Sequence, residues 1–533
     1  MSKDTFLKGA LILTVAGVLV KIIGSVNRIV LSRLLGGEGI GLYQMAYPIY
    51  LLALSISSAG IPVAISIIVA EKVARRDFRG ANRVFRISLA VLTVTGILFT
   101  ALLYLGAGWL VDYHFVRDPR AFYAIAALAP AIFFVTILSS YRGYFQGLQM
   151  MTPTAISQIA EQFIRVVTMI ALAYWLLPRG LEYAAAGASF GAGPGALAGL
   201  LILIVFYWRQ RPQMKEKMEL QPAMEQESGL SIITRIAQLA IPVSLANIML
   251  PVVSNIDLLI VPARLEVAGF TVEQATELFG YLTGMAVALI NLPTILTASL
   301  AASLVPAVSE SFTLGKKDRI YQRTATAMRI SNLITIPSFV GMYLLATPIS
   351  QMLYGTPNAG VPIAILSIGI FFLGVQQVTT GVLQGLGRTA IPVLNMVFSA
   401  IVKVGMSWTL TAIPWLGIKG AAWATVADFA IAAALNLYFV YRYVGFNMDF
   451  KDLARTGIAA AVMAGIVIVV YDKTMAITLH NTLSTLVAIC IGGSTYGIAL
   501  LAVGGISAQD VERIPRFGPK AAQVLRNLRL LRR

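Results

Sequence analysis

Residues 42–70 read LYQMAYPIYLLALSISSAGIPVAISIIVA, a run of 29 without one charged side chain, and residues 71–79 then read EKVARRDFR. A helix needs about 20 apolar residues to cross roughly 30 Å of hydrocarbon, so this run spans a membrane and the basic segment ends the span. The same alternation continues through all 533 residues, 58% of them hydrophobic and 12% charged. Mean hydropathy is +0.79. Soluble chains carry about 25% charged residues. The expected class is an all-α polytopic membrane protein. Transmembrane β-barrels alternate apolar and polar residues, and these runs do not. One cysteine, Cys490, allows no internal disulfide framework, and His114 and His480 leave little material for a histidine metal site. There is no Ser-His-Asp set and no metal-ligand spacing, so neither an enzyme nor a bound cofactor is expected.

Fourteen spans can be marked: about 9–34, 42–70, 87–111, 121–147, 154–177 and 184–208, then 232–262, 278–308, 327–352, 360–386, 390–413 and 417–441, and finally 456–475 and 481–504. The expected organisation is an N-lobe at 1–208, a polar linker from Arg209 to Ser231, a C-lobe at 232–444, two further spans at 445–505, and a basic tail at 506–533. In that tail Leu525, Leu528 and Leu531 share one helical face, suited to lying along the inner membrane surface. Lys3 and Lys8 precede a first apolar stretch that runs past Lys21 and Arg28 without a small-residue cleavage site, so it reads as a retained span.

The net charge of +17 would suggest nucleic acid in a soluble protein. Here it collects in alternate joints. Lys72, Arg75, Arg76, Arg79, Arg83 and Arg86 follow span 2; Arg209, Arg211, Lys215 and Lys217 follow span 6; Lys316, Lys317, Arg319 and Arg323 follow span 8. Odd joints are poor or balanced, as with Asp112 and Asp118 against Arg117 and Arg120. Basic residues mark cytoplasmic loops, which places both termini and the linker in the cytoplasm. No nucleic-acid partner is expected.

A weak internal repeat runs at an offset of 238. Phe145-Gln146-Gly147-Leu148 matches Leu383-Gln384-Gly385-Leu386, and Glu161 and Arg165 fall opposite Ser399 and Lys403. Six spans per copy give both copies the same orientation, the parallel repeat in which a central site lies between lobes. Such an arrangement suits alternating access better than a fixed pore.

Charge at mid-membrane costs about 2.5–3.5 kcal/mol per residue on insertion scales, so such residues are candidate sites. Span 1 holds Lys21 and Arg28, seven apart on one face with Gly17 and Gly24, and no acid. They suit an anion; the structural alternative is that both reach for the interface. Span 5 carries Glu161 and Arg165 at i, i+4, either a self-neutralising structural pair or part of the site. Its counterpart reads Asn395, Ser399, Lys403 and Ser407. Asp257 and Asp428 are candidates for Na+ or H+ coupling, with pairing to Lys403 the simpler reading. Gly191-Ala192-Gly193-Pro194-Gly195 lacks the Lys-Ser/Thr ending of a phosphate loop and sits inside span 6.

Thr5 to Leu13, Gly24-Ser25-Val26-Asn27-Arg28-Ile29-Val30-Leu31-Ser32-Arg33, Gly37 to Ala46, Pro62-Val63-Ala64-Ile65-Ser66, and Gln158-Ile159-Ala160-Glu161-Gln162 with Arg165 closely resemble the stage V sporulation protein B family. That family belongs to the polysaccharide-transporter branch of the multidrug/oligosaccharidyl-lipid/polysaccharide exporter superfamily. The resemblance covers essentially the whole chain. It implies a cell (inner) membrane flippase for a polyprenyl-pyrophosphate-linked saccharide, with lipid II as the expected cargo, serving peptidoglycan of the spore cortex or cell wall, alongside membrane lipids and cell-wall synthesis proteins. Related lipid II flippases carry an Arg-Asp pair in span 1 and cavity arginines in spans 2 and 8. Those places hold Asn27-Arg28, Ala53 and Ala288 here, and Lys21 alone keeps its positive charge. The resemblance also implies a side groove for the lipid tail at spans 13 and 14. The anion-binding set expected is therefore Lys21, Arg28, Arg165 and Lys403. A cation-coupled multidrug antiporter of the same superfamily and a non-transporting cell-wall assembly scaffold are the alternatives.

Overall fold

The computed structural model describes residues 3–58, 60–222 and 227–505. The chain falls into two compact units that meet in sequence at Gly280 and Tyr281. The basic tail with its leucine face lies outside the described residues. In the first unit the helices are α1 (Lys3–Ser58), α2 (Ile61–Ala74), α3 (Phe78–Asp112), α4 (Ala121–Gly147), α5 (Met151–Leu176), α6 (Leu181–Phe190), α7 (Ala192–Leu220), α8 (Gly229–Val267) and α9 (Val272–Phe279). The second holds α10 (Val287–Thr313), α11 (Lys317–Leu344), α12 (Ala346–Tyr354), α13 (Gly360–Gly385), α14 (Ala390–Leu410), α15 (Ile418–Val444), α16 (Phe450–Thr478) and α17 (Asn481–Ala502). No strand occurs among the described residues.

The punctuation follows from local chemistry. Asp77 caps α3 by accepting from the Gly80 N–H at 2.7 Å, Ser228 caps α8, and Thr271 with Gln274 forms a capping box on α9. Helix α1 has 56 residues, about 84 Å at 1.5 Å per residue and far more than one crossing. Gly36 divides it, with φ 67° and ψ −172°, a backbone conformation in which a side chain would be strained.

Eleven stretches of the described residues are long and apolar enough to cross a membrane, or twelve if α11 and α12, bent by 81°, form one span. The expected count of fourteen differs at two places. Val15–Ala74 is one 60-residue stretch where two spans were expected, because helix continues on both sides of Gly36. Helix α8, where the seventh span is expected, is helical from Gly229 to Val267, and among its described residues Gly229–Ile241 is a shorter apolar helix.

Packing in the two units recurs at the sequence offset. A β-carbon at Gly143 or Gly147 of α4 would come within 2.7 Å of the Pro62 carbonyl oxygen or the Val69 β-carbon of α2. At Gly381 and Gly385 of α13, 238 residues on, it would come within 2.7 Å of the Ala301 carbonyl oxygen or the Val308 β-carbon of α10. Both helices also end alike. Met150 N–H donates to Phe145 O and Arg388 N–H to Leu383 O, each at 2.9 Å, after a left-handed residue at Gln149 or Gly387. Around these contacts lie the two cores. Phe85, Tyr141, Tyr144 and Tyr207 stack over Ile65, Ile68 and Leu138 in one, and Val308, Met328, Val378, Val382 and Val440 fill the other.

Candidate functional site: a buried arginine–glutamate cluster

Helix α7 approaches α5 through Gly191, Gly195 and Gly199, one residue per turn. A β-carbon at Gly195 would sit 2.7 Å from the Arg165 β-carbon and 2.8 Å from the Glu161 carbonyl oxygen. Small residues let membrane helices pack backbone to backbone, and that is what this glycine-rich run does here.

The polar stripe of α5 lies beside that seam. Glu161 Oε1 accepts from Arg165 Nη2 at 2.8 Å, as the i, i+4 spacing predicts. Its Oε2 accepts from Arg142 Nη2 on α4, also at 2.8 Å, and Arg142 further contacts Ser157 Oγ at 3.2 Å through Nε and Nη2. The Glu161 side chain is 15% exposed. Two arginines on one carboxylate leave a positive charge over, and Arg165 Nε is buried with no hydrogen-bond partner. Arg142 was not among the expected site residues. Its signal was in the sequence, since it is the one charged residue between Ala121 and Gly147.

Helix α1 joins the cluster from the other side. Asn27 Nδ2 reaches Met169 Sδ at 3.5 Å, and a β-carbon at Gly24 would lie 3.3 Å from Gln162 Nε2. Arg28 is half-buried and donates to Gln44 Oε1 at 2.9 Å. Tyr43 lies within electrostatic reach of both Arg28 and Arg165, with Tyr47 and Tyr50 also close to Arg165. Lys21 is exposed, and nothing lies within 4 Å of a β-carbon at Gly17. The expected face of α1 is thus open at Lys21 and packed at Gly24, with Arg28 against the second half of its own helix.

The remaining expected residues divide between the units. Asp257, on α8, is half-buried and already engaged. In the second unit Lys403 is buried on α14, one turn from Ser399, whose hydroxyl donates to Asp428 Oδ1 of α15 at 2.6 Å. Lys403 and Asp428 each have further interactions. Asn395 Nδ2 donates to Asn436 Oδ1 at 2.8 Å, and Asn436 Nδ2 to Thr380 Oγ1 at 3.0 Å.

The joints carry ion pairs of their own. Arg120 holds Asp118 and Glu38, each at 2.7 Å, and Asp118 Oδ2 accepts from Thr276 Oγ1 at 2.9 Å. The hydrogen bonds to Asp118 first, and then to Glu38, outweigh partial burial and hold the Arg120 guanidinium above its ordinary pKa. At the C-terminal end of α2, Lys72 bridges Asp77 at 3.3 Å and Glu227 at 2.9 Å, while Arg235 pairs with Glu71.

Comparison with known proteins places this architecture. The family described as polysaccharide biosynthesis protein matches residues 6–312, and the family described as MatE matches residues 242–409. The chain is 32% identical to stage V sporulation protein B of Bacillus subtilis (strain 168) over 97% of this chain and 99% of that protein. It is 25% identical to the lipid II flippase MurJ of the same organism over 96% and 98%. A solved structure of lipid II flippase MurJ, in an inward closed conformation, superposes with a TM-score of 0.68 at 14% identity, covering 92% of this chain and 98% of that one. The chain is therefore a multi-pass membrane protein that belongs to the polysaccharide biosynthesis protein family, within the multidrug/oligosaccharidyl-lipid/polysaccharide exporter superfamily.

Proposed function

We propose that this protein is a flippase for a lipid-linked saccharide, with lipid II, a polyprenyl-pyrophosphate-linked saccharide, as the cargo, working by alternating access in the cell membrane. The observation that carries this reading is the charge balance of the buried cluster, in which Arg142 and Arg165 stand against Glu161, with Arg28 half-buried on α1 and sharing the neighbourhood of Tyr43 with Arg165. A pyrophosphate needs fixed cations where water does not screen them, and guanidinium groups grip phosphate oxygens in pairs. Lys21, exposed on the open part of α1, is the first contact; Arg28 and Arg142 follow. Lys403, buried on α14, is the second unit's own candidate for anion binding. Relatives that carry flippase in their names support the cargo class. The repeated packing at Gly143 and Gly381 supports two related lobes. The division at 208 and 232, the cytoplasmic termini and the cytoplasmic linker belong to the same proposal, as does peptidoglycan of the spore cortex or cell wall as the destination.

Reconstituted flipping of fluorescent lipid II tests it. Lys21→Ala should lose transport while inserting normally, Lys21→Arg should keep part of it, and an intact rate in Lys21→Ala with Arg28→Ala would move the site elsewhere. Topology is tested separately, because Gln226→Cys should resist an impermeant thiol reagent applied outside intact cells. A second reading, a cation-coupled multidrug antiporter, is favoured by the MatE match at residues 242–409. It requires Asp257 or Asp428 to bind the coupling Na+ or H+. Transport of a lipophilic cation that stops in Asp257→Asn or Asp428→Asn, with no lipid II flipping, would select it.

A further inference from the structure

A second basic site lies away from the cluster, at the start of α3. Arg79, Arg83 and Arg86 follow one another at spacings of four and three, which puts all three on one face of the helix. With Asn82, Ile87, Ala90 and Met218 they line a cavity of about 560 Å³ within the first unit. Its far wall is the end of α7, fixed in place by specific bonds. Arg79 Nε donates to the Met218 carbonyl at 2.8 Å, and Gln221 Oε1 accepts from the backbone N–H groups of Phe78 and Arg79 at 2.9 and 3.0 Å.

Of the described acids nearby, Glu216 and Glu219 lie exposed on α7 on either side of Met218, and three others are already paired. Asp77 is held by the Gly80 N–H and Lys72, Glu71 by Arg75 and Arg235, and Glu227 by Lys72. Among the described residues no carboxylate lines the cavity. Arg83 makes other interactions as well, but it sits among bases, with Lys217 nearby over the Phe78 ring. One turn beyond Arg83 and Arg86 the lining changes to Ile87 and Ala90. The cavity is thus cationic at the end near the basic joint and apolar towards the membrane span. That polarity fits an amphiphile with a phosphate head.

We infer that this cavity binds the phosphate head group of an anionic glycerophospholipid of the surrounding bilayer, whose chains leave past Ile87 and Ala90. Arginine pairs with phosphate in bidentate fashion where lysine acts as a point charge, and basic pockets between helices at the membrane surface are suited to anionic head groups. The inference stands independently of the flippase reading, since it concerns a resident lipid and different residues.

Full-length protein with a photoreactive benzoylphenylalanine at Ala90, in nanodiscs of phosphatidylglycerol and phosphatidylcholine, tests it. Cross-links should favour phosphatidylglycerol. Arg83→Gln with Arg86→Gln should lower that cross-link about 10-fold. Arg83→Lys with Arg86→Lys should retain an intermediate yield, which separates lost charge from lost folding. Equal labelling of the two lipids, or an unchanged yield in the glutamine pair, would overturn the proposal. Two further outcomes also overturn it: displacement of the cross-link by inorganic pyrophosphate would assign the arginines to soluble phosphate, and preference for added lipid II would assign the cavity to the transported lipid.

Discussion

The cluster on α4 and α5 and the cluster on α13 and α14 occupy positions 238 residues apart, yet they are made from different chemistry. Arg142, Ser157, Glu161 and Arg165 in the first unit correspond to Thr380, Asn395, Ser399 and Lys403 in the second. The first is built on guanidinium–carboxylate pairs at 2.8 Å and keeps one arginine in excess. The second uses an amide ladder, Thr380–Asn436–Asn395, and a hydroxyl on Asp428. A buried ion pair carries a desolvation cost that only good geometry and full partnership offset, whereas neutral amides carry much less. Equivalent backbone positions can therefore hold an arginine–glutamate cluster in one half and an amide ladder beside Lys403 and Asp428 in the other. The difference teaches that repetition of packing does not entail repetition of function.

The comparison can be broken most sharply at Glu161. Removing one partner of a buried pair costs about 3–5 kcal/mol, and here one carboxylate serves two arginines. Glu161→Gln should lower thermal stability by that order and reduce folded protein in the membrane, more than any single change in the amide ladder. Normal thermal stability together with abolished transport would show that Glu161 acts in the cycle rather than in the fold.

Arg142 sharpens it next. A charge-assisted contact to phosphate contributes about 1.5–3 kcal/mol, so Arg142→Gln should weaken lipid II binding roughly 10- to 100-fold in folded, detergent-solubilised protein. Thr380→Val, at the matching position, should leave binding within about twofold, because no charge is lost. Equal effects would mean that the two clusters share the ligand.

Packing gives a smaller contrast. Gly195→Ala brings a β-carbon against Arg165 and Glu161, and overpacking of this kind costs about 1–3 kcal/mol in a thermal-denaturation assay. The corresponding position already holds Ala433, buried in the second core, so the second unit accommodates a methyl there that α5 and α7 exclude. The smallest effect should come from Asn436→Ala. Membrane hydrogen bonds average about 0.6 kcal/mol in measured cycles, so the two bonds lost there amount to about 1 kcal/mol.

Much of this was legible in the chain itself. The charge-free run at 42–70 and its repetitions specify membrane helices, because no other structure satisfies the backbone inside hydrocarbon. The i, i+4 spacing of Glu161 and Arg165 specifies their pairing, since neighbours one turn apart on a helix must meet. The offset of 238 was visible in a four-residue match and reappears in the contacts of Gly143, Gly147, Gly381 and Gly385. Gly36 is where local reading stopped. The joint expected at 35–41 contains it, but hydropathy does not show the kind of break, a single left-handed glycine with helix continuing on both sides.

Sequence by itself determined the class, the family and the presence of costly charges inside spans, because each depends on composition, periodicity or spacing along one helix. Tertiary structure decided which charges meet. Arg142 and Glu161 are 19 residues apart on different helices, and only the packing of α4 beside α5 turns a self-neutral pair into a cluster with an arginine in excess. It also decided that Gly191, Gly195 and Gly199 serve helix contact, and that Arg79, Arg83 and Arg86 share a walled cavity with Met218. Long-range contacts of this kind are set by how helix surfaces fit together, and no local pattern in a single chain encodes that fit.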